Sequence, residues 1–151
     1  MTGLYNCVED DVVALFNATW NHPGILVLWR ENDLEPLPDP STTPYFLRNT
    51  VLFGMEAYLA FGSGRGQNQK CLYGMVEFVG FAARAEVSER QLLELLWDAT
   101  GTLRSKRVVG SFAGGSDLSF VGPGSSFDVS PTESGNWFMR VVRVAFEYRF
   151  V

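Results

Sequence analysis

Hydrophobic and polar positions alternate most cleanly from Val142 onward. Val142, Val144, Phe146, Tyr148 and Phe150 fall on one side, and Arg143, Ala145, Glu147 and Arg149 on the other. A period of two belongs to a half-buried strand. The pattern predicts a long strand from Asn136 to Val151. It runs to Val151 without a polar tail, so a neighbouring strand or another subunit is expected to hold it. The chain therefore reads as a small sheet protein with a paired or partner-facing edge.

A different period precedes it. Val8, Val12, Leu15, Phe16 and Trp20 recur at helical spacing and predict a helix from about Val8 to Trp20. Asn6 with Glu9 resembles a capping box, and Asp10 and Asp11 would add favourable charge in the first turn. His22-Pro23-Gly24 stops this helix, and Ile25 to Trp29 reads as a strand. Pro36, Pro38, Pro40 and Pro44 keep the next connection extended. Tyr45, Leu47, Val51 and Phe53 then share one face of a strand from Tyr45 to Phe53. After the polar, glycine-rich Phe61 to Lys70 loop, the Cys71 to Phe81 run is apolar on both faces except at Glu77, as suits a central strand.

Leu92, Leu96, Ala99 and Leu103, flanked by Leu93 and Trp97, predict a second helix from about Ser88 to Arg104. Ser88-x-x-Gln91 is a capping-box pattern. Arg104, Lys106 and Arg107 place positive charge where the helix dipole favours it. Short strands are expected at Val108 to Phe112 and Asp117 to Val121, with Gly114-Gly115 as the hairpin signal. The Gly122 to Gly135 stretch, rich in Gly, Ser and Pro, reads as a loop. These elements predict one α+β domain over residues 1–151, a mostly antiparallel sheet with two helices packed on it.

Composition narrows the function classes. The 151 residues fit one domain, and 46% hydrophobic content is enough for a core. The 12 Phe, 5 Tyr and 4 Trp fill that core by default, with room for some at interfaces. A formal net charge of −5 lacks the electrostatic footprint of a protein that grips nucleic acid through phosphates. Cys7 and Cys71 form no metal spacing and suit a reducing compartment. No signal peptide and no bilayer-spanning stretch is recognisable, so assembly in cytoplasm is the expectation.

Candidate chemistry is thin. His22 is the only histidine. It lies beside Pro23 at a helix end, where capping or solvent exposure is the ordinary role, and a triad would need further groups to hold it. Gly62-x-Gly64-x-Gly66 lacks phosphate-loop spacing and precedes a strand, which suits a hairpin tip. Glu9, Asp10 and Asp11 have no second ligand cluster, and helix-dipole acidity accounts for them. No catalytic residue, cofactor or metal is expected. The candidate interface residues are Arg65, Gln67, Lys70, Phe127, Arg140, Arg143 and Arg149. The arginines of the last strand read equally as edge protection or as partners for acidic residues of a neighbouring copy.

The order of features resembles the tail terminator (tail completion) proteins of long-tailed bacteriophages. The matching pieces begin with a helix ending in Trp20, a proline turn and Ile25-Leu26-Val27-Leu28-Trp29. An acidic, Pro-rich connection leads into Tyr45-Phe46-Leu47-Arg48-Asn49-Thr50-Val51. A Gly-rich loop with Arg65 leads into Leu72-Tyr73-Gly74-Met75-Val76-Glu77-Phe78, and the last strand carries Val144-Ala145-Phe146-Glu147-Tyr148. The similarity covers most of the chain from Val8 onward. It implies a structural virion protein, not an enzyme, forming a homo-oligomer, a hexameric ring at the head-proximal end of the tail tube. One face would meet the tail-tube protein and the other the head-completion or neck protein. DNA would pass through an acidic lumen without specific binding. The location would be the neck region of the virion tail, with no membrane involved. Another neck, connector or tail-tube protein is the alternative. A small ligand-binding or hydrolytic α+β domain is the reading from a different class.

Overall fold

The structure is a computed structural model. It describes residues 3–29, 38–60, 69–83, 89–112, 114–120, 125–127, 132–134 and 137–151, with backbone alone at 58–60, 125–127 and 132–134. The elements run α1 (Leu4–Thr19), β1 (Leu26–Trp29), β2 (Tyr45–Ala60), β3 (Gln69–Ala83), α2 (Glu89–Gly101), β4 (Arg107–Val109), β5 (Asp117–Ser119), β6 (Ser125–Phe127), β7 (Thr132–Ser134) and β8 (Trp137–Phe150). The fold is α+β: a curled, mostly antiparallel sheet with both helices on one face.

The strand order is β1-β2-β3-β8-β5-β4, and β6 and β7 also pair with β8. Among the described strands only β1 with β2 is parallel. β3 lies between β2 and β8 and is paired along its length, which explains its two apolar faces. β8 is interior too. β3 takes one side, and β7, β6 and β5 take successive stretches of the other. The last strand is thus held by neighbouring strands of its own chain, the first of the two alternatives expected for it.

Alternation sets the core. Val142, Val144, Phe146 and Tyr148 turn to the helices and are at most 1% exposed. They meet Val8, Val12 and Phe16 of α1 and Leu92, Leu96 and Ala99 of α2 in one cluster. Burying each large apolar side chain contributes about 1.5–3 kcal/mol. Gly80 of β3 seats α2: a Cβ there would stand 2.8 Å from Leu92 Cδ1 and 3.0 Å from Leu96 Cδ2. A smaller cluster of Leu28, Phe46, Phe81, Ala83 and Trp137 lies on the opposite face. There the Phe46 and Phe81 rings stack at 4.3 Å.

Several boundaries differ from the sequence expectation. α1 starts at Leu4 with Gly3 as its N-cap, so Asn6 is inside the helix and no acid lies in its first turn. Leu4 packs on the core and Cys7 is buried, and this apolar contact extends the helix past the capping signal. β2 continues to Ala60 because β3 pairs with it throughout, through irregularities between Phe53 and Glu56 and between Tyr58 and Ala60. The α2 cap at Ser88 lies outside the described residues. Trp97, expected to flank the apolar stripe, is 54% exposed, while Leu95 is buried. The stretch read as a loop from Gly122 to Gly135 contains β6 and β7, which borrow their order from β8.

Candidate assembly interface

The sheet face away from the helices carries rows of side chains fixed by register. Arg48, Val79 and Val141 form one row; Thr50, Glu77 and Arg143 the next; Leu52, Met75 and Ala145 a third. All nine are half-buried. Among the described residues no helix covers them. Charge on this face is largely neutralised within the chain. Arg143 Nε donates to Glu77 Oε2 at 2.8 Å across the strands, and Arg149 donates to Glu147 Oε2 at 3.2 Å. The Arg48 guanidinium lies over the Phe81 ring at 5.6 Å. The result is a half-buried surface of mixed apolar and charge-paired character, suited to contact with a second surface.

The outer side of α2 offers a second surface. An open groove of about 580 Å³ is lined by Arg90, Leu93, Glu94, Trp97, Asp98 and Arg140. Arg140 pairs with Glu89 at 3.1 Å. The Arg104 guanidinium stacks 3.8 Å from the centre of the Trp97 ring, a cation–π contact that leaves the indole at the surface. His22 Nε2 is 3.0 Å from Asp98 Oδ2. The histidine expected to cap α1 or face solvent thus ties the end of α1 to α2.

The structure divides the predicted interface residues between these surfaces. Arg143 and Arg149 lie on the helix-free face, each with an in-chain carboxylate. Arg140 belongs to the other face, beside α2. Lys70, in β3, places its ammonium over the Phe150 ring at 5.9 Å. Phe127 lies in β6, opposite Val142 of β8. Arg65 and Gln67 lie outside the described residues. The reading missed Trp97 as a surface residue. The signal was present: Trp97 is one step off the Leu92-Leu96-Ala99 stripe, seven residues ahead of Arg104.

Other reactive groups have structural surroundings. Cys7 and Cys71 are buried thiols. Burial pushes the Cys71 thiol up, despite a bond to Tyr73, which suits an inert thiol. Among the described residues no group of three or more His, Cys, Asp or Glu is placed to hold a metal ion. No helix among them is long and apolar enough to cross a membrane. Asp11, expected to serve the helix dipole, instead accepts hydrogen bonds from Tyr148 Oη at 2.9 Å and from the Ser111 N–H at 3.0 Å.

No family model matches the chain, and no curated protein does. Eleven chains of solved structures match its fold. One of them, which carries no descriptive name, superposes with a TM-score of 0.56 over 95% of this chain and 96% of that one, at 15% identity. At that identity the likeness shows a shared fold.

Proposed function

We propose that this chain is the tail terminator of a long-tailed bacteriophage, a structural protein that assembles as a closed homo-oligomeric ring on the head-proximal end of the tail tube. The observation that carries the reading is the order of motifs, from the helix before Trp20 through Leu26–Trp29 to the aromatic last strand, on an α+β domain. The helix-free face supports it. That face is half-buried and half-apolar, and its charges are mostly paired within the chain, so docking it strands few buried charges. A net charge of −5 would let DNA pass a lumen by like-charge repulsion. The ring would bind the last tube layer with one surface and refuse further tube subunits with the other. Closed symmetry keeps head-to-tail contacts from growing into filaments.

Deleting the gene in the producing phage tests this. Tails of uncontrolled length, or tails and heads that never join, are the expected result. Particles with normal, head-joined tails would overturn it. Copy number separates the nearest rival: a terminator is present as one ring per particle, a tube subunit as a stack of rings.

A further inference from the structure

The last described part of the sheet path, β5 to β4, is held in an uneven way. Two residues near β4 have left-handed backbone, Ser105 at φ 62 and Gly115 at φ 82. Ser105 carries that conformation without being glycine, so it is a strained pivot. Between these two positions the chain is tied to β5, to the core by Val108, and to Phe150 by the edge-on ring of Phe112. A polar network fastens the same segment to two distant elements. The buried Tyr148 hydroxyl of β8 donates to Asp11 Oδ2 of α1 and accepts the Phe112 N–H at 3.2 Å. Asp11 Oδ2 also accepts the Ser111 N–H, and the Ser116 hydroxyl bonds to the Tyr148 hydroxyl. Gly110 is required here: a Cβ would fall on the Tyr148 hydroxyl and lie 2.7 Å from Ser116 Oγ.

We infer that the Tyr148–Asp11 network is a latch that holds the segment from Lys106 to Phe112 closed over β5, and that its loss lets this segment open about Ser105 while β5 stays on β8. β5 stays because Leu118 and Phe120 are at most 1% exposed and β5 pairs with β8 at Asp117, Leu118 and Ser119. The ladder fixes what each state presents. The Phe120 N–H bonds the Lys106 carbonyl and the Gly110 N–H the Ser116 carbonyl. Residues of an antiparallel pair alternate, so Val108 and Leu118 also face each other, and Arg107 and Val109 turn their main-chain groups outward. Closed, the sheet ends on β4, with Val109 85% exposed. Open, it ends on β5, with the main-chain groups of Ser116, Leu118 and Phe120 unpaired. The latch selects which strand forms this end of the sheet. This inference is independent of the proposed function.

Residue-resolved amide exchange tests it, in Tyr148→Phe and, should that chain fail to fold, in Asp11→Ala. The amides of Val108, Gly110, Leu118 and Phe120 should exchange roughly ten- to hundredfold faster, the range for one charge-assisted hydrogen bond. Asp117 and Ser119, which face β8, and the amides of β3 should exchange more slowly than the four in both chains, and their exchange should rise steeply with denaturant where that of the four rises little. In the unaltered chain the same four amides should exchange ahead of β3. Unchanged rates at the four, or rates and denaturant dependence at the four equal to those of Asp117, Ser119 and β3, would overturn the inference.

Discussion

One strand shows both environments of this sheet. Along β8 the even positions from Val142 to Tyr148 touch the helices and are sealed, while Arg143, Ala145, Glu147 and Arg149 stand half-buried on the helix-free side. The backbone and hydrogen-bond ladder are shared, so the difference in energy lies in side-chain contacts. On the helix side each residue is committed to a tight core, where lost atoms leave a cavity. On the other side the residues keep part of their hydration and balance charge in pairs. The first side carries stability, and the second is available for contact.

Substitutions on opposite sides of β3 and β8 should sharpen that contrast most. Phe146→Ala should cost about 3–5 kcal/mol, because a nearly unexposed ring packed against Phe120 leaves a void. Met75→Ala, on the helix-free row, should cost within about 1 kcal/mol. Denaturant midpoints at constant slope measure both, and equal losses would break the comparison.

Alkaline pH gives an intermediate effect. Burial first, together with the nearby Asp11 carboxylate, raises the Tyr148 hydroxyl above its ordinary value. The neutral phenol is therefore favoured in the folded chain. Its contribution is fully present below the ordinary tyrosine value of about 10, and is lost as pH rises through the higher folded value. Stability followed by circular dichroism should fall above about pH 10, and Tyr148→Phe should flatten that fall. Tyr73, on the helix-free side, is raised chiefly by Cys71. Tyr73→Phe should leave most of the decline in place.

The smallest effect is expected at the paired charges. Glu77→Gln should cost about 0.2–1 kcal/mol, since both partners keep contact with solvent. The loss should shrink at high salt. A loss above about 2 kcal/mol would place this pair with the core instead.

The sequence made the helix-covered side legible because burial there imposes a period. Val142 to Phe150, Leu92 with Leu96 and Ala99, and Val8 with Val12 and Phe16 all stand where their spacing places them. β6 and β7 were not legible. Their segment shows no alternation, and its order comes from the free side of β8. The start of α1 departs from the capping pattern at Asn6, which loses to the burial of Cys7 and the packing of Leu4. The helix-free side was legible only in composition. Arg140 and Arg143 look alike in sequence, yet they stand on opposite faces, bound to carboxylates of α2 and β3. Such pairings join residues far apart in the chain, and spacing holds no record of them.

The interior place of β8 also orders events during synthesis. β3 emerges before β8, and over Lys70 to Ala83 its second side is completed only by residues 137–150. Until those residues are made, β3 keeps an open, largely apolar edge, the kind of template on which unfinished chains associate. The pairs that close it join residues some 54 to 80 positions apart, from Ala83 with Trp137 to Lys70 with Phe150. Such distant pairing is slow to form. Chains cut short before Trp137 should therefore collect in aggregates, and production of the full chain should gain from slower synthesis at lower temperature.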